Sequence, residues 1–387
     1  MQGVEMGHCN AAIEAIIAAY YGFLSSTAAE GLRIISAYGK SDTLGMDAMP
    51  EITIIEHLKR FDKYAVVITE ETGSQKYAHF SGEDDPRKFR TIFISDPTDR
   101  SAQIKKLLES VADKSQRIGD IVKKKYTKSQ WVKQFGGPAE ITGGSSAITC
   151  IRRGVPLFAV MVNYITQQFF LSCSAGNYVY SLPEKKPVLT VDFIRSHGKR
   201  LYFRGLDSNR SAEAQRFVTF MGKTGYRENL VASKLMDDEE IGKYLHYDLP
   251  GGPLRVLYLS TLQPANKQIG FILSNGEKIG EWIHWLPFIR FARKEDDQGE
   301  PALRLFEVYQ DRPYTRDGIL MSTPPAYSIF KPVRENDSKM VIDVSKFGSF
   351  SNPSTVRATL IATPFDNDWA TRIVNQYGYR AIELFEE

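Results

Sequence analysis

The fold is decided by the stretch Arg90-Thr-Ile-Phe-Ile-Ser-Asp-Pro-Thr-Asp-Arg-Ser101. Its first half is apolar and rich in β-branched residues, which is typical of a buried strand. Two carboxylates, Asp96 and Asp99, follow at the end of this strand and are separated by Pro97-Thr98. In an α/β sheet, ligands bind in the crevice outside the strand ends. The stretch therefore predicts a strand that ends in a rigid acidic turn at a binding site.

Two further acidic motifs lie upstream of this stretch. The run Tyr64-Ala-Val-Val-Ile-Thr69 also indicates a buried strand, and it ends in Glu70 and Glu71. Before it, Asp47 and Glu51 are four residues apart, at the entrance of a helix. We expect that helix to start at Pro50, because proline is tolerated at the first helical position.

The chemistry of these groups favours a hard cation. Neighbouring carboxylates repel one another unless a cation neutralises them, and oxygen ligands without His or Cys suit Mg²⁺. The peptide carbonyl of Thr98 could add another oxygen. A helix that begins at Ser101 would direct free N–H groups to the same place, and this is an anion site. Together these features indicate phosphoryl transfer. On composition alone, Asp96 and Asp99 are equally consistent with a turn that caps a helix.

The three motifs, in their order and spacing, resemble a known family. They read Asp47-Ala-Met-Pro-Glu51, Thr69-Glu-Glu-Thr72 and Asp96-Pro-Thr-Asp-Arg-Ser101. This pattern is similar to that of the inositol monophosphatase/fructose-1,6-bisphosphatase superfamily of metal-dependent phosphatases, with the chain as a divergent member. The segment from Pro156 to Ser172 also looks like the family's strand pair, and the resemblance covers residues 1 to about 175. It implies an α/β (α+β) layered sandwich of sheets and helices.

The resemblance also implies roles for individual residues. Two or three Mg²⁺ ions would be held by Glu70, Asp96, the Thr98 carbonyl and Asp99. Asp47 and Ser101 would orient and deprotonate the attacking water, Ser101 would also contact the substrate phosphate, and Glu71 would support the ligands.

The chain departs from the family pattern at two positions of the site. The family has glycine where this chain has Arg100, whose guanidinium we expect to bind the substrate phosphate, although it could equally fill the pocket. The family also has a late Trp-Asp motif that supplies a further ligand. One placement puts this ligand at Asp366. The other, which we favour, aligns the motif with Trp282-Ile283, so that the ligand is lost at Ile283.

The remainder of the chain indicates a second half. An amphipathic helix of about twenty residues follows Ser101 as an insertion. We expect an α+β half with the metal motifs at residues 1–185 and an α/β half that shapes the substrate pocket at 186–334. Residues 335–387 would be an extension or would complete the second half. In the second half, the patterns predict a helix from Ala212 to Met221 and a strand from Leu254 to Tyr258.

Composition excludes several classes of protein. The chain has 49 basic and 46 acidic residues, so no field that would attract nucleic acid is implied. Its three scattered cysteines form neither a zinc pattern nor a disulfide framework, which indicates a reducing compartment. The apolar stretch from Ala11 to Phe23 is interrupted by Glu14 and is too short to span a bilayer. It also lacks the features of a signal peptide. We therefore expect a cytoplasmic protein with no membrane partner.

These observations lead to one functional prediction and one alternative. The chain is predicted to be a Mg²⁺-dependent phosphomonoesterase that hydrolyses a small phosphorylated metabolite: an inositol phosphate, a sugar phosphate or a nucleotide 3′-phosphate. The alternative is a catalytically impaired relative that binds a phosphate ligand or acts as a scaffold. Family members often dimerise, which leaves a homodimer open.

Overall fold

A computed structural model describes residues 3–35, 42–69, 91–125, 127–152 and 155–203. In the C-terminal half it describes 216–221, 245–248, 254, 257–262, 271–278, 283–293, 304–310, 330–332, 340–342, 357–363 and 379–383. The chain divides into two compact units, Met1–Arg200 and Leu201–Glu387. No helix in these ranges has the length and apolar character needed to cross a bilayer.

The first unit contains eight helices among its described residues. They are α1 (Gly3–Ser25), α2 (Ala28–Leu32), α3 (Gly45–Phe61), α4 (Ser101–Glu109), α5 (Ile118–Lys125), α6 (Lys128–Phe135), α7 (Ala139–Thr142) and α8 (Val191–His197).

A seven-stranded sheet forms the centre of the first unit, and its strands follow one another in chain order. They are β1 (Val66–Thr69), β2 (Thr91–Asp99), β3 (Ser145–Arg152), β4 (Val155–Asn163), β5 (Gln168–Cys173), β6 (Gly176–Ser181) and β7 (Lys199–Leu201). β1 and β2 are parallel, whereas the successive pairs from β2 to β6 are antiparallel.

The core of this unit lies between one face of the sheet and the helices α1 and α3. One row of directly opposed residues crosses four strands on that face: Val67, Phe93, Cys150 and Phe158. All four are completely buried, and they belong to one cluster with the apolar side chains of α1. The sequence predicted the existence of these helices and strands, because β-branched runs and helical spacing are clear on both sides of this contact, but not all of their bounds.

Two helices of the first unit differ from their predicted form. α3 begins at Gly45, five residues before the expected start, so Pro50 lies inside the helix. The helix expected after Ser101 is two helices, α4 and α5. The segment between α4 and α5 binds to the start of α2 instead of continuing the helix. The carbonyls of Lys114 and Gln116 accept hydrogen bonds from the backbone N–H groups of Ala29 and Ala28.

The second unit has a six-stranded sheet in the order β15-β11-β14-β10-β8-β9, and a separate pair, β12-β13. Its strands are β8 (Arg216–Met221), β9 (Leu245–Asp248), β10 (Phe271–Lys278), β11 (Arg304–Gln310), β12 (Phe330–Pro332), β13 (Met340–Ile342), β14 (Arg357–Thr363) and β15 (Tyr379–Glu383). A π-helix spans Tyr258–Leu262, and a short helix, α9, spans Trp285–Arg290.

Two predictions for the second unit were wrong. Residues 216–221 of the expected helix form strand β8, paired in parallel with β9 and β10. The expected strand at Leu254 is helical at the described positions, 254, 257 and 258. Both are short apolar runs, for which tertiary pairing decides between helix and strand. The predicted fold class, sheets layered with helices in a mixed α/β arrangement, is confirmed by the mixed sheets and their helices.

Candidate functional site

The Asp-Pro-Thr-Asp segment is a β-bulge inside β2, not a turn after it. Asp96 lies opposite Ala147 and Asp99 lies opposite Ser145, so Pro97 and Thr98 together face the single residue Ser146. Proline has no N–H to contribute to a ladder of hydrogen bonds, and bulges are among the few places in a sheet that accommodate it. The proline of the motif thus explains why the strand bulges at this point.

The bulge determines where the two carboxylates lie. In a regular strand, residues three apart are on opposite faces of the sheet. Here one extra residue is inserted, so Asp96 and Asp99 lie opposite Ala147 and Ser145, which are two apart and share a face. Both carboxylates therefore fall on one face of the sheet, which is the face opposite to Phe93.

Hydrogen bonds from β3 and from the residue directly after β4 hold the bulge in place. The Ser146 hydroxyl contacts both the Pro97 carbonyl and the Tyr164 hydroxyl, and Tyr164 Oη donates to the same carbonyl at 3.4 Å. Tyr164 is completely buried and stacks on Tyr20, with ring centroids 5.8 Å apart. The backbone of the acidic motif is therefore fixed by the core of the first unit.

A second bond ties the bulge to the helix that carries Asp47. Thr98 Oγ1 donates to the Met46 carbonyl at 2.8 Å, and this bond is buried. In an α-helix, that carbonyl accepts from the N–H four residues later, which here is Pro50, a residue without an N–H. The proline inside α3 thus leaves the carbonyl available, and the Thr98 hydroxyl supplies a donor.

This arrangement predicts an energetic coupling between Thr98 and Pro50. Thr98→Val leaves the buried Met46 carbonyl without this donor, and we expect it to cost about 1–3 kcal/mol of unfolding free energy. In a Pro50→Ala background, the new N–H can bond the same carbonyl, so the cost of Thr98→Val should fall by about 1 kcal/mol. Urea denaturation of the four proteins measures this coupling.

The matched control for that cycle is Thr98→Ser, which keeps the hydroxyl and should behave like the original protein in both backgrounds. Strictly additive effects of Thr98→Val and Pro50→Ala would show that the two residues do not share the Met46 carbonyl.

Asp47 lies in the first turn of α3, and its charge acts on the same neighbourhood as Asp96. Burial raises the pKa of Tyr164, hydrogen bonds from Ser146 and Thr98 oppose this rise, and the charges of Asp47 and Asp96 add to it. The bond from Thr98 to the carbonyl of Met46, the residue before Asp47, brings Asp47 and the acidic motif into one region.

The helix α4 begins at Ser101, directly after the acidic motif, as the sequence predicted. Its position depends on Gly144, where a Cβ would lie 2.1 Å from the Ile104 side chain and 3.6 Å from the Asp99 carbonyl. The absence of a side chain at Gly144 therefore lets α4 pack closely over the start of β3. The first turn of α4, with its free N–H groups, follows Asp99 after the single residue Arg100.

Arg100 connects the bulge to α4 in a left-handed conformation, with φ 65° and ψ 33°. A non-glycine residue in this region carries a cost of about 1–2 kcal/mol, which glycine avoids. The backbone at this position therefore has a conformation that favours glycine, although the chain has arginine there. Its side chain is half-buried.

The oxygen atoms in this region are of the kind that Mg²⁺ prefers as ligands. Asp96 is only 4% exposed, and a buried carboxylate is stabilised by a compensating cation. Asp96, Thr98 and Asp99 offer hard oxygen atoms without sulfur or imidazole. Among the residues that the structure describes, no three His, Cys, Asp or Glu side chains gather as they would around an ion. Thr69 pairs with Ser95, and the predicted ligand that follows it, Glu70, lies outside the described residues, as does Glu71.

The late ligand keeps its two candidate placements. Ile283 is completely buried, just before α9, and its neighbour His284 is also buried, which lowers the pKa of that imidazole to about 3. Asp366 and Trp282 lie outside the described residues.

Sequence reasoning missed four residues that position the motif: Ser145, Ser146, Tyr164 and, in its structural role, Pro50. A proline at the sixth residue of an otherwise regular helix is a signal for a free carbonyl. The residues of β3 gave no signal of their own, because their role depends on the register of β2 against β3.

No family model matches the sequence, and no curated protein sequence matches it. Among solved structures, the chain is similar to CysQ from Bacteroides thetaiotaomicron, a bacterial member of the inositol monophosphatase family. The identity is 12%, the TM-score is 0.49, and 92% of this chain and 97% of that chain are covered. It is also similar to a hypothetical protein from Pyrococcus horikoshii with similarities to inositol-1 monophosphatase, at 12% identity and TM-score 0.45, covering 94% of each chain.

A third similar structure is an IMPase/NADP phosphatase complexed with Mg²⁺ and phosphate. Its identity is 12% and its TM-score 0.43, with 87% of this chain and 84% of that chain covered. All three descriptions refer to inositol monophosphatase, the family that the three acidic motifs resemble.

Proposed function

We propose that the protein is a Mg²⁺-dependent phosphomonoesterase that acts on a small phosphorylated metabolite. The observation that carries this proposal is the bulge in β2, which puts Asp96 and Asp99 on one face of the sheet, directly before the first turn of α4. The two carboxylates can bind a cation, and the N–H groups at the start of the helix can bind an anion. Phosphoryl transfer requires both kinds of group next to each other.

In this proposal the acidic groups hold the metal. Asp96, Asp99, the Thr98 carbonyl and Glu70 would be the ligands of two or three Mg²⁺ ions. When bound, Mg²⁺ supplies the charge that neutralises the phosphate and lowers the pKa of water. The bond from Thr98 to Met46 and the bonds to the Pro97 carbonyl fix the backbone between the two aspartates, so that their separation does not depend on the ion.

In this proposal Asp47 and Ser101 orient the attacking water and accept its proton. Asp47 is carried by α3, which the Thr98 bond joins to the acidic motif, and Ser101 is the first residue of α4. A carboxylate and a hydroxyl at these places can orient the water and accept its proton. The phosphate would contact Ser101, the first N–H groups of α4, and Arg100.

Arg100→Gly separates the two roles that arginine can have at this position. Glycine adopts φ 65° without strain, so we expect the variant to be as stable as the original protein or up to about 1 kcal/mol more stable. If the guanidinium contacts the phosphate, the inhibition constant of inorganic phosphate should rise about tenfold. Thermal unfolding and product inhibition give the two readouts.

The control for Arg100→Gly is Gln167→Gly, at the other described non-glycine residue with positive φ, 56°. It should relieve similar strain and leave phosphate inhibition unchanged. Tighter phosphate binding in Arg100→Gly would show instead that the arginine fills the pocket.

Calorimetric titration with Mg²⁺, with and without inorganic phosphate, tests the site itself. We expect Mg²⁺ binding that phosphate strengthens, because the anion shares the ions with the carboxylates. The competing function, a phosphate-ligand binder or scaffold, is favoured by one observation: a buried isoleucine, Ile283, occupies the late ligand position in one of its two placements. Phosphate binding that is indifferent to Mg²⁺ would favour that function.

A further inference from the structure

Ser145 is a buried polar residue that the proposed mechanism does not yet use. It is the first residue of β3 and is completely buried, and its hydroxyl has no hydrogen-bond partner within the part of the chain that the structure describes. Buried hydroxyl groups are nearly always paired, because leaving one without a partner costs free energy. A buried hydroxyl without such a partner is a candidate for contact with a ligand.

The position of Ser145 in the sheet puts its side chain on the face of the acidic motif. It lies directly opposite Asp99 on β2, at the end of the bulge, and opposite Asn163 on β4. Opposed residues in an antiparallel pair share a face, so Ser145 is on the same face as Asp99. Ala147, two residues further along β3, is on that face too and lies opposite Asp96. The preceding residue is Gly144, over which α4 packs. The hydroxyl is therefore on the face of the sheet that carries both carboxylates.

The neighbour on the other side has its hydrogen bonds elsewhere. Asn163 Nδ2 donates to the Ala139 carbonyl, and its Oδ1 accepts from the backbone N–H groups of Ile165 and Thr166. These three bonds fix the amide in the loop after β4. The fold thus holds Ser145 in a polar setting without using its hydroxyl for structure.

We propose that Ser145 is a further phosphate-contacting residue of this site, whose hydroxyl donates a hydrogen bond to an anionic oxygen of the bound phosphate group. A phosphate beside two aspartates needs donors, because carboxylates can only accept. The hydroxyl supplies one from the sheet, in addition to the N–H groups at the start of α4. This inference rests on the proposed phosphatase function.

The proposal makes two predictions of different kinds for Ser145→Ala. In the protein without ligand, the variant removes a buried hydroxyl that has no hydrogen-bond partner among the described residues, so the melting temperature should be unchanged or higher. In the presence of Mg²⁺ and inorganic phosphate, it lacks one donor to a charged oxygen. The phosphate concentration that gives half of the maximal stabilisation should then rise tenfold or more.

Ser172→Ala is the matched control. Ser172 is also a completely buried strand serine, but its hydroxyl donates to Asn177 Oδ1 at 2.6 Å. This variant should melt at a lower temperature without ligand and should keep the phosphate response of the original protein.

Thermal unfolding of the three full-length proteins, titrated with inorganic phosphate at fixed millimolar Mg²⁺, decides the matter. The expected result is a loss of phosphate response in Ser145→Ala alone, without a loss of stability. A phosphate response equal to that of the original protein overturns the role of Ser145 and leaves the phosphatase proposal standing. A drop in ligand-free stability like that of Ser172→Ala assigns the hydroxyl a structural role and also overturns it. No stabilisation of the original protein by phosphate and Mg²⁺ overturns both.

Discussion

Asp99→Asn is expected to reduce Mg²⁺-dependent phosphate release by more than about 100-fold and to leave the fold intact. Asparagine has nearly the same shape but carries no charge, and losing a ligand should cost more than the 10–100-fold typical of residues that only support ligands. The backbone pairing of Asp99 with Ser145, which asparagine keeps, should hold the strand register. Steady-state phosphate release and calorimetric Mg²⁺ titration give the two readouts.

The control for this variant is Asp120→Asn, which neutralises an exposed carboxylate in the first turn of α5. It should leave turnover and Mg²⁺ affinity unchanged. Full activity of Asp99→Asn with the same Mg²⁺ requirement would remove Asp99 from the metal site.

Gly45→Ala is expected to lower the free energy of unfolding by about 3 kcal/mol, the largest stability effect that we predict. A Cβ at this position would lie 2.0 Å from the Glu30 carbonyl oxygen, which belongs to the backbone of α2 and cannot rotate away. The Gly45 N–H also bonds the Arg33 carbonyl at 2.8 Å. Added bulk must therefore move the first turn of α3, which carries Asp47.

Gly22→Ala is the appropriate comparison, because Gly22 is an exposed residue of α1, and beyond its own helix the described chain has no atom within 4 Å of the added Cβ. It should be neutral or stabilising by up to about 1 kcal/mol, as alanine favours the helix. Chemical denaturation of both variants gives the free energies. If Gly45→Ala is as stable as Gly22→Ala, then α2 and α3 do not pack as closely as described.

Much of the site could be predicted because its residues are contiguous in the sequence. The run before Asp96 predicts a strand, and the residue after Arg100 starts a helix in the structure as expected. What the sequence could not indicate is the bulge. It depends on which residues of β3 lie opposite Asp96 and Asp99, and that register is set by packing far from the motif.

The helix carrying Asp47 shows a second limit of sequence reasoning. Pro50 was interpreted as a helix start because proline is common there. In the structure, the helix begins five residues earlier, at Gly45, where the lack of a side chain lets the backbone lie close to the Glu30 carbonyl of α2. The hydroxyl of Thr98 donates to the carbonyl that the proline leaves free. Both partners are distant in sequence, so local preference could not identify them. In the second unit, the same limit led to a helix being predicted where β8 pairs with β9 and β10.

The most direct test of the central claim is phosphate release by the original protein from a panel of inositol, sugar and nucleotide phosphates, with and without millimolar Mg²⁺. The account predicts release from at least one class of substrate, abolished when Mg²⁺ is removed and restored when it is added back. Release that continues at an equal rate without divalent ions would contradict a metal site at Asp96 and Asp99. No release from any member of the panel, together with no Mg²⁺ binding by calorimetry, would contradict the phosphatase function itself.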